Sequence, residues 1–359
     1  MSRFVNWVPS DLESSDDWTF RLGDLAVQEI VEQARKLAHL SEDLLAIDRT
    51  QFVLSAPVIE CFDRAIDMSQ QQFGLSLIKG FPTRDLSEAE FRVAAWGVGL
   101  YMGVARPQNL AGDIVTDVRD SGAQTYRVLN GRGYNTSSEL DFHIDSGDVV
   151  LLFCRREAKS GGKSLVANPF SVAQFLIEKN PQYLAFLTYR YPFSLGGYKV
   201  DGKGFYLSPL LEDEGDASAF RINIKNIKNG AIEAGLELPS EHLDFLYEFQ
   251  ELAGSGQFCY SMYLEEGDIQ ILNNFHTIHS RTAFEDYDDP DRKRHLIRLW
   301  LCLRKSQPLP QSWLPSFGQI KPGSLRGGFR KVVMGTKYDS YVRSQCRDLG
   351  LSFMSDRYD

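Results

Sequence analysis

The sequence is poor in the residues that build disulfide scaffolds and zinc sites. Five cysteines are spread over 359 residues, and no two of them form a CxxC pair. An odd number of scattered cysteines is typical of reduced thiols, so we expect a cytoplasmic protein without a disulfide framework. Basic residues are also in the minority, at 39 against 48 acidic ones, which gives a formal net charge of −9 at pH 7. This acidic balance argues against a nucleic-acid partner.

Long hydrophobic runs are missing as well. No stretch of about 18 apolar residues occurs, so we expect no membrane span. The N-terminus is acidic and lacks the apolar core of a signal peptide, so we expect none. What is there is an ordinary globular composition, with 43% hydrophobic and 24% charged residues, on a chain long enough to bury a sizeable core.

The N-terminal part of the chain has the pattern of helices. Apolar residues recur at helical spacing over 22–45, and a second helical run covers 57–72. A short strand over 73–80 then ends at a glycine. Ser87, followed three residues later by Glu90, predicts a helix that starts with a capping box.

From about residue 112 to residue 303 the pattern changes to short segments rich in Val, Ile, Tyr and Phe, separated by glycine turns. This pattern is typical of a β-sandwich or barrel. We predict strands over 148–154, 164–167, 220–224 and 296–303, interrupted by helices over 170–189 and 239–254. The proline-containing C-terminal part, 305–359, predicts an irregular extension that wraps the core.

No segment has the composition of a linker between two domains. We therefore predict one α+β unit over 1–359, with a β core at about 70–304. The helical segment 1–69 precedes this core, and the extension 305–359 follows it.

Histidine is scarce, with six in the chain, and His143 lies two residues before a carboxylate. His143 and Asp145 belong to the segment LDFHIDSGD. On a β-strand, residues i and i+2 point to the same face, so the imidazole and the carboxylate can converge on one metal ion. By itself this His-x-Asp pattern is common and has little specificity.

A further histidine, His279, follows an extended apolar segment. With His143 and Asp145 it completes two imidazoles and one carboxylate, the facial triad by which non-haem Fe(II) oxygenases hold iron. Such a triad leaves positions open for a bidentate cosubstrate and dioxygen. A zinc hydrolase can use the same donors, but no glutamate suited to act as a general base lies beside His143.

Two arginines lead into the last predicted strand. Arg294 lies 15 residues after His279, and Arg298 lies four residues further, on the same side of that strand. A dicarboxylate that chelates iron through its keto-acid end needs a fixed cation for its far carboxylate, and arginine supplies a permanently charged fork. The alternative is that these arginines balance the acidic segment 285–291. The position of Arg294 relative to His279 favours the dicarboxylate.

Taken together, these segments resemble the Fe(II)/2-oxoglutarate-dependent dioxygenases of the taurine dioxygenase (TauD/TfdA), clavaminate synthase-like superfamily. The resemblance covers roughly residues 70–304. It rests on 73–80 with 97–103, the pair His143 and Asp145, the segment Gly161-Gly-Lys-Ser164, and 273–279 through Arg294 and Arg298, in that order.

The resemblance implies a double-stranded β-helix, or jelly roll, with flanking helices. In it His143, Asp145 and His279 match the iron ligands. The match places the third ligand at His279 and not at His276, which lies three residues earlier. Fe(II), 2-oxoglutarate and O2 are the implied cofactor and cosubstrates, with succinate and CO2 as products beside a hydroxylated, desaturated or cyclised substrate.

The resemblance also implies roles for three polar residues. Arg294 matches the arginine that pairs with the distal carboxylate of 2-oxoglutarate. Ser164 matches a hydroxyl residue that contacts 2-oxoglutarate, although the family often has threonine there. Arg298 matches a second arginine that meets an anionic substrate or the cosubstrate.

The substrate itself is less determined. Gln108, Asn109 and Asn135, together with Arg298 and the neighbouring Tyr134, are candidate substrate contacts, and their alternative role is loop structure. Polar amides beside an arginine suit a small polar carboxylate or amino acid, while the many aromatic residues suit a larger natural-product intermediate. We therefore expect a small-molecule substrate and no nucleic-acid or membrane partner, and leave a homo-oligomer open. The alternatives are an oxygenase acting on a protein or peptide side chain, and a catalytically silent jelly-roll metal-binding protein.

Overall fold

The computed structural model describes residues 5–122, 133–330 and 335–353 and shows a mixed α and β fold. The helices are α1 (Pro9–Glu13), α2 (Asp24–Leu37), α3 (Ala56–Ser69), α4 (Glu88–Met102), α5 (Pro169–Lys179), α6 (Tyr183–Thr188), α7 (Ile224–Ala234), α8 (Ser240–Ala253), α9 (Leu314–Phe317) and α10 (Gly335–Leu349). The strands are β1 (Thr19–Arg21), β2 (Leu75–Lys79), β3 (Val104–Ala105), β4 (Thr116–Val118), β5 (Val149–Arg156), β6 (Ser160–Gly161), β7 (Ser164–Ala167), β8 (Tyr191–Ser194), β9 (Phe205–Ser208), β10 (Leu211–Glu212), β11 (Ala219–Phe220), β12 (Cys259–Met262), β13 (Ile269–Asn273), β14 (Ile278–Arg281), β15 (Phe284–Glu285) and β16 (His295–Cys302).

A large sheet forms the centre of the molecule. Its strands lie in the order β1-β2-β13-β5-β16-β3, and β4 pairs with β16 beside β3. All these pairs are antiparallel except β1 with β2. Every residue of β16 is buried, which explains why this strand is an almost continuous apolar run in the sequence.

One face of the large sheet is covered by helices. Alternate residues such as Leu151 on β5 and Leu299 on β16 share one apolar core with side chains from α2, α3, α4 and α10. The predicted helices of the N-terminal part are thus confirmed. The capping box at α4 is confirmed too, since the Ser87 hydroxyl accepts from the Glu90 N–H and the Glu90 carboxylate accepts from the Ser87 N–H.

The other face of the large sheet meets a small sheet of order β12-β7-β14. Here Val150 and Trp300 of the large sheet share a core with Val166 of β7. Because His279 belongs to β14 and Arg298 to β16, this two-sheet arrangement brings distant parts of the chain to one place. A second helical layer, α5 to α8 with the hairpin β8–β9, has its own apolar core around Phe220, whose ring stacks on Phe249 at 5.1 Å.

Two predictions about secondary structure were wrong. The segment 220–224 was predicted as a strand, but β11 ends at Phe220 and α7 begins at Ile224. The side chain of Asn223 caps this helix by accepting from the Asn226 N–H at 2.9 Å. The buried residues Phe220, Ile222 and Ile224 alternate as in a strand, so burial alone did not reveal the switch to a helix.

The C-terminal extension is less irregular than predicted. Residues 303–330 are mostly irregular, but 335–349 form the amphipathic helix α10. Its buried residues, among them Tyr338, Val342 and Cys346, recur at helical spacing and join the core of the large sheet. Among the described residues, no helix is both long and apolar enough to cross a membrane.

Candidate active site

The two predicted histidine ligands face each other across a backbone bridge. The His143 N–H donates to the His279 carbonyl and the His279 N–H donates to the His143 carbonyl, each at 3.0 Å. Residues paired directly in this way project their side chains to the same side of a sheet. The two imidazole rings accordingly lie with their centroids 4.4 Å apart.

Asp145 completes the cluster, although not on a regular strand. Within 141–148 the structure has only the isolated bridge at His143, followed by bends, so the strand expected for the His-x-Asp pattern is confined to one residue. The carboxylate still reaches both rings, with 3.9 Å from Oδ1 to His143 Nε2 and 3.8 Å from Oδ2 to His279 Nε2. One donor atom from each of the three residues lies within 4.8 Å of the others.

The electrostatic environment favours the protonation states that bind a metal cation. Burial, followed by the neighbouring His143, lowers the pKa of His279 to about 3, so this imidazole is neutral at pH 7. Burial opposes ionisation of Asp145, but Arg298 and the two histidines together hold its pKa below the usual value. A neutral imidazole and an ionised carboxylate are the forms that act as ligands.

Further hydrogen bonds fix the orientation of these side chains. The indole Nε1 of Trp300 donates to Asp145 Oδ2 at 2.7 Å, and the Asp145 N–H donates to the Asn274 side chain at 3.0 Å. The Nδ1 of His143 lies 2.8 Å from the Asp141 carbonyl, which leaves Nε2 for a metal. Sequence reasoning missed Trp300. The sequence did contain a signal for Trp300, because this residue stands two residues after Arg298 on the same strand face.

Arg294 lines the same cavity as the cluster, and among the described residues its guanidinium forms no ion pair with a carboxylate, although Asp286 accepts from its backbone N–H at 2.7 Å. Only 6% of the residue is exposed, and its Nη1 has no hydrogen-bond partner among the described residues. Its guanidinium stacks over the Phe284 ring at 5.1 Å. Gly162 explains how the neighbouring loop approaches so closely, since its φ is +72° and a Cβ would lie 3.3 Å from Arg294 Nε.

Ser164 and Arg298 occupy the same region but already have partners. The Ser164 hydroxyl donates to Gln270 Oε1 at 2.9 Å. Arg298 donates through Nε to Gln108 Oε1 at 2.7 Å and through Nη1 to Asp145 Oδ2 at 3.4 Å. Arg298 is therefore compensated by Asp145, unlike Arg294.

The predicted substrate contacts lie mostly behind the site. Gln108 is fully buried. Its amide oxygen accepts from Arg298 Nε, and its amide nitrogen donates to two backbone carbonyls, one of which is that of Arg298. Asn109 donates to Asp113 and to the Tyr134 hydroxyl. The structure places neither of them, nor Asn135, on the wall of the cavity at the site, whereas Tyr134 does line it.

A cavity of about 290 Å³ opens onto the cluster. One wall, which we call the metal side, contains His143, Asp145, Ser164, His279, Arg294 and Arg298. A second group of lining residues, which we call the helical side, contains Arg221, Asn223, Lys225, Asn226 and Asn229. The helical side was missed by sequence reasoning, because these residues surround the start of α7 where a strand was predicted.

Two other histidines have structural partners instead. His276 stacks on Phe170 at 5.0 Å and bonds to Gln307 at 2.8 Å, so it points away from the cluster. His295 bonds to Asp117 at 2.8 Å.

Asp117 and His295 form, with Glu88, a second group close enough to hold a metal. Its carboxylates are already paired with arginines, because Arg92 contacts Asp117 and Arg119 contacts Glu88, both at 3.0 Å. Arg155 and Arg156 lie 3.8 Å from Glu88 as well, so this group is an ion-pair network.

Comparisons with known proteins agree with this geometry. A profile of the family described as "Taurine catabolism dioxygenase TauD, TfdA family" matches residues 41–300. The chain is 29% identical over 313 residues to the FR-33289 synthase of Streptomyces rubellomurinus, which covers 85% of this chain and 91% of that protein. It is 23% identical over 314 residues to a taurine hydroxylase-like protein of Stachybotrys chartarum, covering 82% and 77%.

Two solved structures share the fold. An asparagine oxygenase in complex with Fe(II), 3-hydroxyasparagine and succinate aligns with a TM-score of 0.58 at 17% identity, over 79% of this chain and 93% of that one. The non-heme iron oxygenase OrfP in complex with Fe and alpha-ketoglutaric acid aligns with a TM-score of 0.52 at 14% identity, over 79% and 94%.

Proposed function

This chain belongs to the TauD, TfdA family of dioxygenases and is an iron- and 2-oxoglutarate-dependent oxygenase, and from that premise we propose how its residues share the work. His143, Asp145 and His279 hold the iron. The fit rests on the donor set, since two imidazoles and a carboxylate converge there, and the environment favours a neutral His279 and an ionised Asp145. Iron bound there supplies the redox chemistry that couples O2 and 2-oxoglutarate to oxidation of a C–H bond.

The assignment of the 2-oxoglutarate site rests on the burial and hydrogen bonding of Arg294. This residue is a buried cation with an unpartnered Nη1 on the same cavity wall as the three ligands. A buried charge without a partner is costly, so this position calls for an anion. We assign it to the distal carboxylate of 2-oxoglutarate, with the Ser164 hydroxyl as a second contact held in place by Gln270.

The remaining polar residues of the metal side position the ligands. Trp300 and Arg298 both donate to Asp145 Oδ2, which keeps the carboxylate ionised and leaves Oδ1 toward His143. Gln108 Oε1 accepts a hydrogen bond from Arg298 Nε and so fixes the position of the Arg298 side chain. We therefore assign Gln108 and Asn109 to positioning the cavity wall and keep Arg298 as a residue near both cosubstrate and substrate.

The substrate in this proposal is a small organic molecule, either a polar carboxylate or amino acid or a natural-product intermediate, which is hydroxylated or otherwise oxidised. The cavity of about 290 Å³, lined by the metal and helical sides, has a volume suited to a small molecule. The two facing sheets support a jelly-roll core, and the packing of α10 against α4 in one core supports a single domain. Five free thiols support a cytoplasmic location.

The test is anaerobic reconstitution with Fe(II) and 2-oxoglutarate, followed by air and a panel of small metabolites and peptides. We expect succinate formation that requires Fe(II), O2 and a small-molecule substrate, and its loss in Asp145→Ala to the level without metal. Succinate formed only with peptides would redirect the proposal to a protein-modifying enzyme. Full activity in Asp145→Ala, or no turnover with correctly loaded wild-type protein, would overturn it.

A further inference from the structure

The helical side of the cavity contains a second arginine without a counter-ion. Arg221 is 7% exposed, and no carboxylate among the described residues pairs with it. Its Nη2 lies 3.4 Å from the Ser316 hydroxyl, and its buried Nη1 has no hydrogen-bond partner within the described part of the chain. Four aromatic rings surround the guanidinium at 5.1 to 5.8 Å from their centroids, namely Phe193, Tyr206, Trp313 and Phe317.

This arrangement leaves part of the guanidinium unsatisfied. Aromatic faces stabilise a cation and fix its position, but they accept no hydrogen bonds in its plane. A buried charged group whose donors lack acceptors is destabilising by several kcal/mol in general, about the same cost as a broken buried ion pair. The cage therefore holds Arg221 ready for an anion that the protein itself does not supply.

The residues next to Arg221 also favour an anion. Asn223, Lys225 and Asn226 at the first turn of α7 line the cavity together with Arg221. The positive end of the dipole of this 11-residue helix lies there and favours anions. Gly230 allows α7 to sit close to β8, since a Cβ at this position would lie 2.3 Å from the Pro192 carbonyl oxygen.

The net charge of the cavity lining also favours an anionic ligand. Five basic residues line it against two acidic ones, although the chain as a whole has a net charge of −9. Asp145 compensates Arg298. Fe(II) and the dicarboxylate 2-oxoglutarate cancel one another in charge, so the loaded cavity keeps its positive excess.

We propose that Arg221 binds an oxyanion group of the substrate, a carboxylate, sulfonate or phosphonate, at the end of the molecule remote from the carbon that is oxidised. The substrate then spans from the helical side, which recognises its charge, to the metal side, where the reaction takes place. This inference rests on the proposed function, because it assigns Arg294 to 2-oxoglutarate and leaves Arg221 for the substrate.

The test is calorimetric titration of wild-type protein loaded with Mn(II) and 2-oxoglutarate, so that the Arg294 site is filled. The probes are butanoate, propanesulfonate and propylphosphonate, with butanamide and butylamine as the neutral and cationic matches. We expect at least one anion to bind, and the amide and amine to bind at least about tenfold more weakly, as loss of a charge-assisted hydrogen bond predicts.

Variants then locate the site. Arg221→Gln lowers the affinity for the anion by about tenfold or more and leaves the affinity for 2-oxoglutarate unchanged, while Arg221→Lys gives an intermediate loss. The matched control is Arg84→Gln, which removes an arginine whose side chain is 90% exposed outside the cavity and has no effect.

Several results would overturn the inference. Equal binding of butanoate and butanamide, absence of anion binding at millimolar concentrations, or wild-type anion affinity in Arg221→Gln would each reduce Arg221 to a packing residue of the cage. If Arg221→Gln does not fold, Arg221→Lys decides, because wild-type anion affinity in that variant would overturn the inference. Failure of the proposed function looks different, because 2-oxoglutarate would then not bind to the metal-loaded protein at all.

Discussion

The two sides of the cavity are built in different ways. On the metal side, His279 and Arg298 stand on strands that belong to paired sheets, and His143 is tied to His279 by two backbone hydrogen bonds. On the helical side, Arg221 and the residues after it belong to the short connection between β11 and the capped start of α7. The metal side is thus fixed by backbone pairing, whereas the helical side depends on one cap and on side-chain packing.

This difference separates chemistry from recognition. Metal ligands must converge within a few tenths of an ångström, and a sheet provides that rigidity. A substrate-recognition wall can vary with less effect on the ligands if its residues stand on other elements, as Arg221 and Asn223 do here in the connection between β11 and α7. The comparison predicts that changes on the metal side affect the iron or 2-oxoglutarate, and that changes on the helical side affect the substrate alone.

The largest expected effect outside the metal ligands is that of Arg294→Leu. Leucine removes two charge-assisted donors and leaves the distal carboxylate of 2-oxoglutarate buried and unpaired, at a cost of about 3 kcal/mol. We expect the 2-oxoglutarate concentration for half-maximal succinate formation to rise about 100-fold. The measurement is the dependence of initial rate on 2-oxoglutarate at saturating substrate.

Two variants make this result specific. Arg294→Lys keeps the charge but not the fork and should lie between wild type and Arg294→Leu. Arg221→Gln changes an arginine on the helical side and should keep the wild-type affinity for 2-oxoglutarate. If Arg221→Gln lowered the affinity for 2-oxoglutarate as much as Arg294→Leu does, the assignment of 2-oxoglutarate to the metal side alone would be wrong.

A smaller effect is expected for Trp300→Phe. Phenylalanine keeps an aromatic ring against Phe329 and Arg298 but removes the indole donor to Asp145 Oδ2. Loss of a hydrogen bond that orients a metal ligand typically lowers metal affinity, here by about tenfold. Titration of Fe(II) or Mn(II) into the apoprotein measures it.

Trp96→Phe is the matched control for this change. Trp96 also donates its Nε1 to an acceptor, the Ile47 carbonyl at 3.2 Å, but it lies in the core of the large sheet and helices. It should lose some thermal stability and keep its metal affinity. Equal metal affinity in wild type and Trp300→Phe would show that Arg298 alone suffices to orient Asp145.

The metal side could be predicted from sequence because its signals are short. His143 and Asp145 are two residues apart, Arg294 lies 15 residues after His279, and the resemblance to a known family fixed which segments belong together. In the structure these four side chains line one cavity. The spacing of residues along the sequence did not show that Asp145 compensates the charge of Arg298, or that the Gln108 side chain accepts a hydrogen bond from Arg298 Nε.

The helical side could not be predicted for a physical reason. Phe220, Ile222 and Ile224 are all buried and alternate with polar residues, which is the pattern of a strand. The helix start depends on the single Asn223 cap, and the first turns of α7 contain Asn226, Asn229 and Gly230, which have weak helix propensity. The unpaired state of Arg221 depends on four rings from distant parts of the chain, which no local pattern contains.

The most direct test of the central claim is a crystal structure of the protein grown without O2 in the presence of Mn(II) and 2-oxoglutarate, with anomalous scattering to locate the metal. We predict one strong metal peak in contact with His143, Asp145 and His279, with the distal carboxylate of 2-oxoglutarate on Arg294. A metal peak at Glu88, Asp117 and His295 instead, or 2-oxoglutarate bound away from Arg294, would contradict the account.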